Sequence, residues 1–171
     1  MSLTWTCGSS PPWTLRGWWK DADAIVRVRV DSQYPYDHFT DSSPESIVQT
    51  ELMVAVLEVF KSHPRAVGAG AAMPILHPGG TLTRADGAET HKTNGFPPPA
   101  NGTEWFLFLR WDEGDQRFWI NYLEDGALQV VGGQLLAVES ASLPTWWRAA
   151  MGADALAKRL RRLAERRRSR R

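Results

Sequence analysis

One cysteine in 171 residues leaves no partner for an internal disulfide and no thiolate cluster for a metal. Cys7 stands in Thr6-Cys7-Gly8-Ser9, ahead of the first strand-like segment, and lacks the Leu and apolar run that precede a lipid-anchor cysteine. No apolar stretch approaches the roughly 20 residues of a membrane-spanning helix. Zinc-finger, Walker-loop and dinucleotide fingerprints are missing, so no cofactor is expected. There is no G-x-S-x-G motif for a nucleophilic serine, and Glu51 and Glu58 have a spacing that does not place both on one strand face. Gly68-Ala69-Gly70 lacks the third glycine and the following helix of a phosphate loop. Met1 to Ser10 has neither a basic start nor an apolar core, so a cytoplasmic protein is expected as written, and an exported one if a start codon lies upstream.

Histidines are also few. His38, His63, His77 and His91 include no pair at helical i, i+4 or strand H-x-H spacing. Each lies in or beside a predicted loop, which suggests solvated side chains. A metal site would have to draw on Asp37, His38 and Asp41. Asp112, Glu113 and Asp115 around Gly114 lack the ligand repeat and terminal Glu of a calcium loop, so a turn is expected there.

What the chain does have is apolar mass, tryptophan and an uneven charge. Hydrophobic residues reach 43%, enough for a core, and charged residues 23%, which excludes global disorder. Residues 1–150 hold 11 Lys/Arg against 17 Asp/Glu, a net −6, whereas residues 151–171 hold 9 against 2, a net +7. An acidic body argues against non-specific nucleic-acid binding by that body. A cationic tail suits an anionic partner: a membrane surface, nucleic acid or an acidic protein.

Patterning along the chain predicts a mainly β protein in three parts: a Trp/Pro-rich N-terminal segment (1–21), a β domain (22–140) and a C-terminal helix with an Arg-rich tail (141–171). Leu15, Trp18 and Trp19 have the spacing of a helical turn laid on the body. Ala24 to Val30 alternates, with Val26, Val28 and Val30 inward and Arg27 and Arg29 toward water. Residues 31–46 are rich in Asp, Ser and Pro and predict turns. Ile47 to Lys61 is β-branched and long, a bent strand. Met73 to His77 is a short strand in which Pro74 implies an edge or a bulge. Residues 79–103 predict a long polar loop. Glu104 to Trp111 carries Trp105, Leu107 and Leu109 on one face and Phe106 and Phe108 on the other, as in a strand buried on both sides. Arg117 to Leu123 returns as its hairpin partner, and Leu128 to Val131 and Gln134 to Val138 complete a meander, with Asp125-Gly126 as a hairpin signal. Ala153 to Arg168 is helix-prone, with only Leu156, Leu160 and Leu163 in its apolar stripe, so a weakly held helix is expected.

Several segments read together resemble a group of usually exported bacterial proteins with an OB-like, netrin/metalloproteinase-inhibitor-like β-barrel. They are Ala22-Asp23-Ala24-Ile25-Val26-Arg27-Val28-Arg29-Val30, Val56-Leu57-Glu58-Val59-Phe60-Lys61, Leu76-His77-Pro78-Gly79-Gly80-Thr81, Asn101-Gly102-Thr103-Glu104-Trp105-Phe106-Leu107-Phe108-Leu109 and Gly132-Gly133. Arg27 and Ser62 stand where that group often has glycine. The resemblance spans residues 22–138 and implies a barrel with no established enzyme activity.

The expectation is therefore a small OB-like β-barrel with a C-terminal helix, the alternative being an immunoglobulin-like β-sandwich. The expected function is a non-enzymatic binding or interaction module, with Arg161, Arg162, Arg166, Arg167, Arg168, Arg170 and Arg171 of residues 158–171, and Trp146 and Trp147, as partner-binding residues. The alternatives are a hydrolase-like enzyme using loop 79–103 as a lid, and nucleic-acid or anionic-surface binding through the tail.

Overall fold

A computed structural model describes residues 14–40, 43–84, 87–91, 96–121, 123–137 and 152–169. Cys7, Trp146, Trp147, Arg170 and Arg171 therefore lie outside the described residues. The chain runs α1 (Leu15–Asp21), β1 (Ala24–Thr40), β2 (Ser43–Lys61), β3 (Ala72–Pro78), β4 (Gly80–Arg84), β5 (Gly87–His91), β6 (Glu104–Asp112), β7 (Arg117–Ile120), a 3-10 turn (Leu123–Gly126), β8 (Ala127–Val131), β9 (Gln134–Ala137) and α2 (Ala153–Arg168).

Strand β6 organises the sheet. One of its edges pairs antiparallel with the start of β1, Ala24 opposite Leu109 through Arg29 opposite Glu104. Its other edge is divided: Leu109–Asp112 pairs with β7 and Glu104–Leu107 with β8. β1 continues antiparallel to β2, β2 to β3, and β3 meets β7 in parallel through Ile75 and Leu76 against Phe118 and Trp119. The result is a five-stranded ring, β1-β2-β3-β7-β6 and back to β1, with β8 and β9 as an extension. A two-sheet sandwich has no such closure, so the immunoglobulin-like alternative is overturned.

Alternation along the ring strands explains the burial. Val26, Val28, Leu52, Val54, Leu107 and Leu109 point into the barrel and are fully or almost fully buried. The opposite faces of β1 and β6 present Ile25, Phe106 and Phe108 to a second core, which α1 fills with Trp18 and Trp19 and α2 with Leu156 and Leu160. Trp18 packs on Phe108 at 5.3 Å between ring centroids. Arg27, expected to face water, is instead half-buried: it pairs with Glu104 and lies 5.6 Å over the Phe106 ring.

Besides Arg27, five expectations need correction. Residues 31–40 and 43–46 are strand, because β1 and β2 continue as an antiparallel arm well beyond the ring. Tyr34 and Tyr36 suit a strand, and the β6 ladder on the other edge of β1 ends at Arg29, so Pro35 costs no hydrogen bond on that side. The segment 79–103 is not a simple loop: β4 and β5 form a separate hairpin, and Phe96 is buried in the barrel core. Pro74 lies on an interior strand without a bulge in its pairing to β2, because the parallel contact of β3 with β7 starts only at Ile75. The meander is broken, since β8 returns to β6 rather than to β7. Asp125-Gly126 closes the 3-10 turn on that return path. A Cβ on Gly126 would lie 1.8 Å from the Asn121 carbonyl oxygen, so only glycine fits.

The fifth correction is His77, which is fully buried rather than solvated. Met73, Ile75 and His77 alternate inward on β3, and the His77 ring meets Phe96 edge-on at 4.9 Å. Neither ring nitrogen makes a hydrogen bond of ordinary geometry among the described residues. Burial lowers its pKa to about 4, with the nearby Gly79 backbone opposing weakly. The unfolded chain takes up this proton near pH 6.5 and the folded chain only near 4, so stability is lost as pH falls through that window, by about 3 kcal/mol in total. Urea melts at about pH 7 and about pH 4.5 are expected to show a smaller difference in unfolding free energy for His77→Leu than for the wild type; equal differences would contradict the burial of a neutral imidazole.

Helix α2 buries more than its leucine stripe, with Ala153 and Ala157 beside Leu156 and Leu160. These four residues are buried in the second, outer core with Phe60 of β2, Phe106 and Phe108 of β6 and Leu128 of β8, which makes α2 part of that core. Leu160→Ala is expected to destabilise the whole protein by about 2–5 kcal/mol, as is Leu107→Ala inside the barrel. A Leu160→Ala loss below about 1 kcal/mol in denaturant melts would contradict this packing.

A cationic cleft between the two helices

The short helix α1 forms because Thr14 caps it: its Oγ1 accepts from the Gly17 N–H at 3.0 Å. Trp18 and Trp19 bury one face. Arg16 and Lys20, at i and i+4, share a neighbouring face. The helix ends at Asp21, where its last carbonyls need donors. Lys61, the last residue of β2, supplies them: its Nζ donates to Trp19 O at 2.9 Å and to Ala22 O. Burial lowers the Lys61 pKa, as does the neighbouring Arg167, against the opposing influence of Asp23 and Asp21. Those two carboxylates are engaged. Asp23 Oδ2 accepts from the Trp111 N–H at 2.9 Å, and Asp21 Oδ2 from Asn121 Nδ2 at 3.1 Å.

Helix α2 starts where the Ala153 N–H donates to Gly133 O at 2.8 Å, beside the β9 edge. Its fully buried residues end at Leu160, and the adjacent Arg161 grips Glu58 of β2 with two bonds, 2.6 and 2.8 Å long. The hydrogen bond to Glu58 raises the Arg161 pKa still further. The following turns carry Leu163, Arg166 and Arg167 past the ring and beside α1.

Together these residues line a surface cleft of about 450 Å³, bounded by Arg16, Trp19, Lys20, Asp23, Lys61, Leu163, Arg166 and Arg167. That volume is within the range of small-ligand sites. Five cations face one carboxylate. Arg16, Lys20, Arg166 and Arg167 have no carboxylate partner among the described residues. Like charges gathered without counter-charge repel one another, and an anion placed between them removes that repulsion.

Of the expected partner-binding residues, Arg166 and Arg167 reach the cleft. Arg161 serves the fold through Glu58, and Arg162 and Arg168 are exposed elsewhere on α2. Arg16, Lys20 and Lys61 were not anticipated. The i, i+4 spacing of Arg16 and Lys20 was a local signal for two of them; the approach of Lys61 is tertiary. The other candidates do not meet there. Asp37 and His38 lie on the β1 arm opposite Val48 and Ile47, and Asp41 is outside the described residues. Asp112 Oδ1 accepts from the Gly114 and Asp115 N–H groups, forming the expected turn.

No protein-family model and no curated protein sequence matches this chain.

Proposed function

We propose that the protein is a non-enzymatic binding module on an OB-like barrel, related to the exported bacterial group that its segments resemble, and that its cationic cleft takes an anionic ligand. The five-stranded ring supports the barrel type, since five strands with partial closure characterise OB-like barrels. The observation that carries the function is the set of four cations, Arg16, Lys20, Arg166 and Arg167, that have no carboxylate partner among the described residues and are drawn from the two ends of the chain to one cleft. Binding is favoured over hydrolysis because, among the described residues, Asp23 is the one carboxylate lining the cleft, it is tied to the Trp111 amide, and no histidine lines the cleft with it. Binding in a cleft is favoured over a diffuse tail–polyanion contact because α2 is docked on the body through Ala153, Leu156, Ala157 and Leu160, with Leu163 and Ala164 partly buried beyond them.

Inorganic phosphate is expected to raise the melting temperature at low salt, an effect that shrinks as salt screens the site. Arg166→Glu combined with Arg167→Glu is expected to abolish the shift, while Arg162→Glu combined with Arg168→Glu is expected to keep most of it. Equal losses in both double variants would place anion binding on the tail as a whole rather than in the cleft.

A further inference from the structure

The cleft has two cationic walls. One is Arg16 and Lys20, a turn apart on α1; the other is Arg166 and Arg167 on the end of α2. Between them stands Lys61, whose ammonium is committed to the α1 carbonyls. It therefore contributes charge rather than a free donor, and it covers the carbonyl oxygens that would otherwise repel an anion at this helix end. With Asp23 as the one carboxylate, the lining carries a net +4. A single phosphate group brings only about −1.5 to −2 at neutral pH and leaves about half of that charge uncompensated. Two linked phosphoryl groups come closer to matching it, and they also match the division of the donors between two helices. The apolar part of the lining is formed by Leu163 and by the small accessible part of Trp19, whose side chain is otherwise buried.

We infer that the ligand is a diphosphate, one phosphoryl group held by each helix wall, with Trp19 and Leu163 receiving the ring or chain that the diphosphate carries. The inference rests on the anion-binding reading of the cleft and adds the class of anion. Lys61 is a positioning residue in this arrangement. The ligand would also bridge the two helices, tying the last turns of α2 to α1.

The test is calorimetric titration of the full-length protein with orthophosphate and with inorganic pyrophosphate at matched ionic strength. Pyrophosphate is expected to bind at least about tenfold more tightly. Removing either wall, by Arg16→Gln with Lys20→Gln or by Arg166→Gln with Arg167→Gln, is expected to bring the ratio near one while orthophosphate still binds at the remaining wall. These side chains are outside the core, and the melting temperature of each variant checks that the fold is kept. Equal affinity for the two anions in the wild type overturns the diphosphate assignment and leaves the anion site standing; failure of both to bind overturns the site itself. Two further arms identify the carrier. ADP binding more tightly than pyrophosphate supports a ring on Trp19, and geranyl diphosphate binding more tightly supports an apolar chain. If neither exceeds pyrophosphate, the role given to Trp19 and Leu163 is wrong.

Discussion

The middle of strand β6, Trp105 to Leu109, is buried on both faces, and the rest of the structure answers to that constraint. Trp105, Leu107 and Leu109 enter the barrel, while Phe106 and Phe108 point outward with nearly complete burial. A barrel strand normally exposes its outer side to water, so two outward phenylalanines need a lid of their own. The lid is built from the two ends of the chain: Trp18 and Trp19 from α1, and Leu156 and Leu160 from α2. Burying each such side chain is worth about 1.5–3 kcal/mol relative to exposure. That is sufficient to hold helices of seven and sixteen residues that would be marginal in isolation.

The functional geometry is a consequence of this apolar requirement. Leu156 and Leu160 are seated with Leu163 and Ala164 partly buried behind them, and the last turn of α2, with no core to cover, carries arginines to the edge of α1. Two basic faces then lie side by side. One arginine is neutralised locally, Arg161 by Glu58, and one lysine, Lys61, is spent on helix carbonyls. The others have no carboxylate partner among the described residues. A folded protein that holds unpaired cations together gives up some stability for it, and an anion that binds only the folded state returns it.

The sequence made the period-2 pattern of β6 and of Val26, Val28 and Val30 legible, and with it the mainly β class, because alternation depends only on neighbours in the chain. The helical stripe of Leu156 and Leu160 was legible for the same reason, although its weight was underestimated: the acceptor surface, Phe106 and Phe108, is distant in sequence. Residues 31–46 misled because Asp, Ser and Pro are turn formers by propensity, whereas Tyr34 and Tyr36 extend a strand that β2 already pairs. The β4–β5 hairpin was hidden by polar composition. His77 looked like a loop residue beside Pro78-Gly79-Gly80; only the inward direction of Met73 and Ile75, combined with the placement of Phe96, buries it. Half of the candidate site was visible as an arginine-rich tail. The other half depends on ring closure, which brings Lys61 and α1 next to α2, and no local pattern encodes that meeting.

The central claim is that α2 belongs to the folded body and so forms a fixed wall of the cleft. Native-state hydrogen exchange tests it most directly. The backbone amides of Leu160 and Leu163 are predicted to exchange only through global unfolding, with the same denaturant dependence as Leu107 and Leu109 in β6. Exchange of the α2 amides by a separate low-energy opening, while β6 stays protected, would show that the helix is an appendage and would contradict the account.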